Sequence, residues 1–500
     1  MKRRTKSLTA ALLALTLLAS LLLPFSAWAA PADEEIVLRI CSWEEYIDLG
    51  DWDEEEQIDL DNGVSILGVN PMYRDFEDWY YETYGKRVRV EYSCFGTNED
   101  LYNQLTLGDV YDLVCPSEYM IMKLMAEGKL EPYSEDFFDS SDPLNYYTNG
   151  VSPYIAEIFS SHEIGGESWS KYAAGFMWGL TGVLYNPEMM TKEEASTWTV
   201  FNNPDFHRQI TLKDNVRDTY FAGLGCLQSE LLTDPAFLAD PDYSEKLYEI
   251  MNDVSPETIA KVEALLQDMM GNIYALETDS GKADMVTGKI VANYQWSGDA
   301  VYAMDLAEED DVYLKFAVPE ECSNLWFDGW VMLKDGIRGD ADRQHAAQAF
   351  VNFVSRPDNV VRNMYYIGYT STIAGGEDDT VFSYLNWCYG AEEEEEDLIA
   401  YPVGYFFSGE EDDEDYIVYT TEDQVDRQLY TQYPSSEVIA RTSLMGYFDE
   451  TETKNINQMW INIRCFNIQD VPLWCWLLTA GLLVLLAVVL IRRRRNQMWR

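Results

Sequence analysis

Residues 88–128 read VRVEYSCFGTNEDLYNQLTLGDVYDLVCPSEYMIMKLMAEG, and the hydrophobic period switches along them. Val88, Val90 and Tyr92 alternate with charged neighbours, the two-residue repeat of a strand. From Asn98 to Leu107 the spacing turns helical, with Leu101 and Leu105 on one face. Tyr111–Cys115 is a short buried strand stopped by Pro116. Ser117 then stands where a hydroxyl caps a helix running to about Gly128. Upstream, Ile36–Ser42 is β-like, and Asp75–Tyr84 puts Phe76, Tyr80 and Tyr84 on one helical face before Gly85. Strand–helix–strand alternation of this kind predicts a mainly parallel sheet with helices on both faces. Ligands of such sheets bind at the carboxyl ends of the strands, where Trp43, Cys94 and Ser117 fall.

A second α/β block follows. Phe176–Tyr185 reads as a strand, Asp218–Leu224 as a helix start, Pro256–Met270 and His345–Val354 as helices. Ala283–Val286, Ile290–Tyr294 and Val312–Val318 read as strand segments. The body is too long for one ordinary core, so two lobes are expected. Residues 36–172 would form the first part of lobe 1 and 173–325 lobe 2. Residues 326–470 would cross over and return to lobe 1. Acidic insertions at Asp48–Asp61, Glu392–Asp397 and Glu410–Asp415 read as solvated loops, and none has EF-hand spacing.

Both ends read as addresses. Residues 1–29 have the basic start, apolar stretch (Leu8–Leu23) and Ala27-Trp28-Ala29 site of a signal peptide. Leu473–Ile491 is an uncharged run of 19 residues, about enough for a helix to cross a ~30 Å hydrocarbon core. Four arginines after it mark a cytoplasmic tail at 492–500. The expectation is an exported body held at the outer face of the membrane by one C-terminal span.

The 500 residues carry 35 basic and 87 acidic side chains, a net charge of −52. Both ends are basic, so all the acids lie in the body, which excludes general nucleic-acid binding. With 47% hydrophobic and 14% aromatic residues, the chain can bury a large core and is not disordered. Among its three histidines none sits in a His-Glu-x-x-His pattern. There is no Gly-x-Ser-x-Gly elbow and no phosphate-binding loop. Nothing points to catalysis, a metal or a cofactor. Cys41, Cys94 and Cys115 read as small buried residues first and as disulfide candidates second.

Short segments that join aromatics to acids or hydroxyls stand out. They are Trp43-Glu44-Glu45-Tyr46, Ser117-Glu118-Tyr119, Trp296-Ser297-Gly298-Asp299, Trp326-Phe327-Asp328 and Gly368-Tyr369. One at a time, each Trp reads as core and each Asp as a cap. In order and spacing, with Asp214-Asn215-Val216-Arg217-Asp218 and Trp178-Gly179, they resemble the polyamine-binding proteins of spermidine/putrescine ABC importers. The resemblance covers roughly residues 36–375 and, more weakly, 430–465.

That resemblance implies a two-lobed, periplasmic-binding-protein-like α/β fold closing on its ligand. It implies ligand contacts from Trp43, Glu44, Tyr46, Ser117 and Tyr119 in the first lobe. Asn215, Asp218, Thr278, Trp296 and Asp299 would face them from the second, with Trp326, Asp328 and Tyr369 near the crossover. Asp328 would hold one ammonium and Asp299 or Asp218 the other. Trp43, Trp296, Trp326 and Tyr369 would form an aromatic box. Asn215 replaces an acid of spermidine-preferring members, Asp299 matches putrescine-preferring ones, and the family's late glutamine falls near Met445. The implied partners are a polyamine and an ABC permease with a separate ATPase, the receptor itself being a monomer. The same fold binding a sugar, peptide or amino acid, or a surface hydrolase with paired carboxylates, are the competing readings.

Overall fold

The computed structural model describes residues 35–278, 280–391, 397–465, 476 and 478–482. Eight strands carry the architecture: β1 (Ile36–Trp43), β2 (Val88–Phe95), β3 (Leu113–Val114), β4 (Ala173–Tyr185), β5 (Ile210–Lys213), β6 (Ala275–Glu277), β7 (Ala292–Trp296) and β8 (Ser323–Leu333). They hydrogen-bond in the order β6-β5-β7-β4-β8-β3-β1-β2.

In the first lobe β1 lies parallel to both β2 and β3. In the second, β5 lies parallel to β6 and β7. The long central strands break the expected parallel pattern. β4 and β8 run antiparallel, from Leu325 opposite Leu180 to Val331 opposite Ala173, and every residue of both is buried. The reason is topological: the chain leaves the first lobe along β4 and comes back along β8, so the two must point in opposite directions. A bulge falls between Asp328 and Gly329, midway along the crossing.

The helices follow the apolar periods. Met72–Tyr84 (α1) ends at Gly85, and Asn98–Leu107 (α2) is capped by the Thr97 hydroxyl on the Asp100 amide. Glu118–Ala126 (α3), Val216–Leu227 (α4), Pro256–Asn272 (α5), Ser297–Glu308 (α6), Ala341–Val354 (α7) and Pro357–Ile367 (α8) cover the sheet. Trp169, Trp178, Trp198 and Trp330 are fully buried, so these four tryptophans belong to the core.

Several expectations change. Ala283–Val286 is part of a short helix, Ser280–Val286, not a strand. The last long helix, Glu450–Arg464 (α9), packs on α5 and α4, so the chain ends its described body on the second lobe and not the first. Asp48, read as the start of a solvated loop, is fully buried. Its carboxylate pairs with Arg362 and accepts the Trp52 indole N–H at 3.1 Å. Cys94 is exposed, and all seven described cysteines are free thiols. Residues 1–29, 392–396 and most of 473–500 lie outside the described residues. Among the described residues no helix is long and apolar enough to cross a membrane.

Candidate functional site

A cavity of about 450 Å³ lies between the lobes, against the crossing strands. All thirteen residues singled out in the sequence line it. Trp43 ends β1, Ser117 follows β3 and Trp296 ends β7, so strand ends supply the wall as the sheet rule expects. Cys94 does not line it; the next two residues, Phe95 and Gly96, do.

Asp328 sits at the bulge and is buried. One carboxylate oxygen accepts the Tyr46 hydroxyl at 2.6 Å and the other the Ser117 hydroxyl at 2.7 Å. Ser117 was expected to cap α3. It stands at the N-cap position without a capping bond, and its hydroxyl goes to Asp328 instead. No basic side chain pairs with Asp328 among the described residues. Burial pushes its carboxyl up to about 6, against the pull of those two hydroxyls.

Aromatic rings surround this carboxylate. Tyr46 meets Tyr369 edge-on with centroids 5.1 Å apart, Tyr369 meets Trp326 at 5.7 Å, and Trp43 packs on Phe95 at 4.7 Å. The indole N–H groups of Trp43 and Trp326 are buried with no hydrogen-bond partner among the described residues.

Tyr369 is placed by two glycines. Gly368 ends α8 in the left-handed region (φ +76°), turning the chain towards the cleft. Gly298 lies under the Tyr369 ring, and a Cβ there would overlap it. Gly298→Ala should therefore push Tyr369 aside and weaken ligand binding about tenfold or more, while overpacking costs ~1–3 kcal/mol of stability. Titration of the variant beside its denaturation curve checks this; unchanged affinity would show that the ring does not need its present seat.

The second-lobe end is built differently. Asp218, in the first turn of α4, is buried and its carboxyl is pushed up to about 6 by burial, with Lys213 and the Trp296 indole pulling it back. Asp299, in the first turn of α6, accepts the Tyr369 hydroxyl at 3.0 Å. It also faces two lysines that sequence reasoning missed: Lys282 Nζ at 3.3 Å and Lys213 Nζ at 3.8 Å. Lys213 is wholly buried, donates to the Thr278 carbonyl at 2.8 Å and stands 3.9 Å above the Trp296 ring. One face of that member of the expected aromatic box is thus already taken by a protein cation. Likewise Arg217 covers Tyr119 at 4.2 Å. The side-chain Oδ1 of Asn215 accepts the Arg217 and Asp218 backbone amides as the cap of α4. Glu44 is exposed at the rim. Met445 lines the cavity where a glutamine was sought. Glu118, part of a segment singled out in the sequence but given no ligand role there, is buried beside Asp328 and its carboxyl is pushed up to about 8 by burial, so it holds a proton at neutral pH. Basic residues in a cleft have no spacing signal of their own; only the fold brings Lys213 and Lys282 to Asp299.

The arrangement is that of a two-lobed solute receptor, with a polar–aromatic cleft open at the Glu44 rim. Residues 72–383 match the family of bacterial extracellular solute-binding proteins, and the chain belongs to that family. It is 22% identical over 343 residues to the spermidine/putrescine-binding periplasmic protein of Escherichia coli (strain K12), covering 68% of this chain and 79% of that protein. The putrescine-binding periplasmic protein PotF of the same organism is 22% identical over 297 residues, 57% of this chain and 71% of that protein. Two solved structures share the fold. The spermidine/putrescine ABC transporter substrate-binding protein PotD of Streptococcus pneumoniae superposes with a TM-score of 0.53 at 21% identity, over 86% of this chain and 99% of that one. The Tp0655 (TpPotD) lipoprotein of Treponema pallidum gives 0.54 at 16% identity, over 85% and 99%.

Proposed function

We propose that this chain is an extracytoplasmic receptor for a polyamine of the putrescine or spermidine type, delivering it to an ABC importer whose permease and ATPase are separate chains. The observation that carries the reading is Asp328: a buried carboxylate gripped by Tyr46 and Ser117, unpaired with any described basic side chain, and ringed by Trp43, Trp326 and Tyr369. A buried carboxylate of this kind is costly unless a cation joins it. An alkylammonium supplies the charge and its methylene chain fits along the rings, each ring–cation contact being worth ~0.5–2 kcal/mol. A sugar or other neutral solute would leave that charge uncompensated. The two relatives named for putrescine or spermidine support the same ligand class. The two buried crossing strands supply a route for lobe closure. The signal-like N-terminus supports export, and the apolar run Leu473–Ile491 supports tethering to the outer face of the membrane.

Calorimetry of the full chain with putrescine and spermidine tests this; a folded protein that takes up neither would end the proposal. The titration should depend on pH with a fixed sign. Only the ionised carboxylate attracts an ammonium, and Asp328 and Asp218 both titrate near 6. Affinity should fall below pH 6 by about tenfold per unit for each carboxylate that must release its proton to pair with the ligand.

A further inference from the structure

We infer that Lys282, backed by Lys213, is a tethered competitor for the ligand's second ammonium and sets how many charges the cleft rewards. This rests on reading the cleft as an alkylammonium site. Its two ends are not alike. At the crossover, Asp328 has hydroxyl donors and no described basic partner. At the second-lobe end, Asp299 already has two ammonium groups within 4 Å. A ligand ammonium arriving at Asp299 gains little, because the protein has itself offset that charge and two cations repel the newcomer, while Asp218 in the same wall is drawn towards Lys213.

The two lysines have different freedom. Lys213 is wholly buried, held by the Thr278 carbonyl and the Trp296 face, with Asp218 and Glu277 as further acids nearby. It is part of the frame. Lys282 lines the cavity on the short helix Ser280–Val286, its side chain is 15% exposed, and it lies 4.0 Å from the exposed Glu45 of the first lobe. It is the member that a substitution can remove without leaving a hole in the core, and the one that reaches both lobes.

The consequence is a specificity rule. The ligand's first ammonium is obligatory at Asp328. The second adds modestly, and a group that accepts from Lys282, such as a carboxylate, is tolerated at that end. In the wild-type full chain, putrescine should therefore exceed n-butylamine in affinity by less than about thirtyfold, and 4-aminobutyrate should bind within the same range, because an offset ion pair contributes like an exposed one.

Lys282→Gln leaves Asp299 facing Lys213 alone. It should strengthen putrescine binding at least about tenfold, change n-butylamine by less than about threefold, and weaken 4-aminobutyrate, while Lys282→Arg keeps the wild-type pattern. Calorimetry with these three compounds on wild type and both variants reads the outcome. A wild-type putrescine preference above about a hundredfold would overturn the inference whatever the variants do, as would equal gains for diamine and monoamine in the Gln variant. If wild type binds putrescine and the Gln variant keeps the same ratio, only the role of Lys282 falls. If neither protein takes up any amine, the reading of the cleft falls with it.

Discussion

Asp328→Asn is expected to weaken putrescine or spermidine binding by about 30- to 5,000-fold, the cost of removing one partner of a buried charge pair. The same substitution should raise the melting temperature of the unliganded protein. Both effects come from one fact. The Asp328 carboxyl is buried, and burial lifts its titration from 3.8 to about 6. Its folded value lies above its unfolded one, so the folded state is the tighter proton binder. Below about pH 4 the group costs nothing. As pH rises through 6 it must ionise in the buried site, and roughly 1–3 kcal/mol of stability is lost by neutral pH. An amide of the same shape avoids that cost, accepts from one of the two hydroxyls through its oxygen and donates its NH2 to the oxygen of the other. Melting curves at pH 7.5 and about 3.5, the lower one below the unfolded value, separate the parts. The variant should gain stability at the higher pH and match wild type at the lower. A variant less stable than wild type at pH 7.5, or one that still binds putrescine within threefold, would count against Asp328 as the ligand's counter-charge.

Arg362→Met should destabilise the protein by about 3–5 kcal/mol, as expected when one member of a buried ion network is removed. Arg362 on α8 is buried, pairs with Asp48, donates to Asp75 at 2.7 Å and also bonds the Asn70 carbonyl. It fastens residues 48–75 onto the helix that leads through Gly368 to Tyr369, so its loss also loosens the wall formed by Tyr46 and Tyr369. Lys86→Ala is the natural comparison. Lys86 pairs with Asp342 at 2.6 Å, but both side chains are more than half exposed, and its removal should cost ~0–1 kcal/mol. Denaturant midpoints of the two variants decide the matter; a loss below about 1 kcal/mol for Arg362→Met would mean that the network is only decorative.

The first lobe was legible because its elements are amphipathic with clean periods: Val88–Phe95 alternates and Asn98–Leu107 repeats every three to four residues. Ala283–Val286 was misread because a four-residue apolar run carries no period, and only its neighbours from Ser280 onward make it a helix. The antiparallel crossing of β4 and β8 could not be read locally, since direction is set by where the chain must go next. At the site, residue types were legible and their partners were not. Ser117 is a good cap by position, yet its hydroxyl is taken by a carboxylate 211 residues away. Asp48 looked solvated in an acidic run until Arg362, 314 residues on, neutralised it. Lys213 and Lys282 were overlooked because lysine is seldom buried, and nothing in their flanking residues points to Asp299.

Whether the cleft selects an alkylammonium through Asp328 is decided by a calorimetric titration of the full chain with putrescine against 1,4-butanediol. The two are alike in length and in the methylene chain, and differ in charge. The expected result is saturable heat with putrescine at neutral pH, fading below pH 6, and none with the diol. Equal binding of both, or binding of neither, would contradict it.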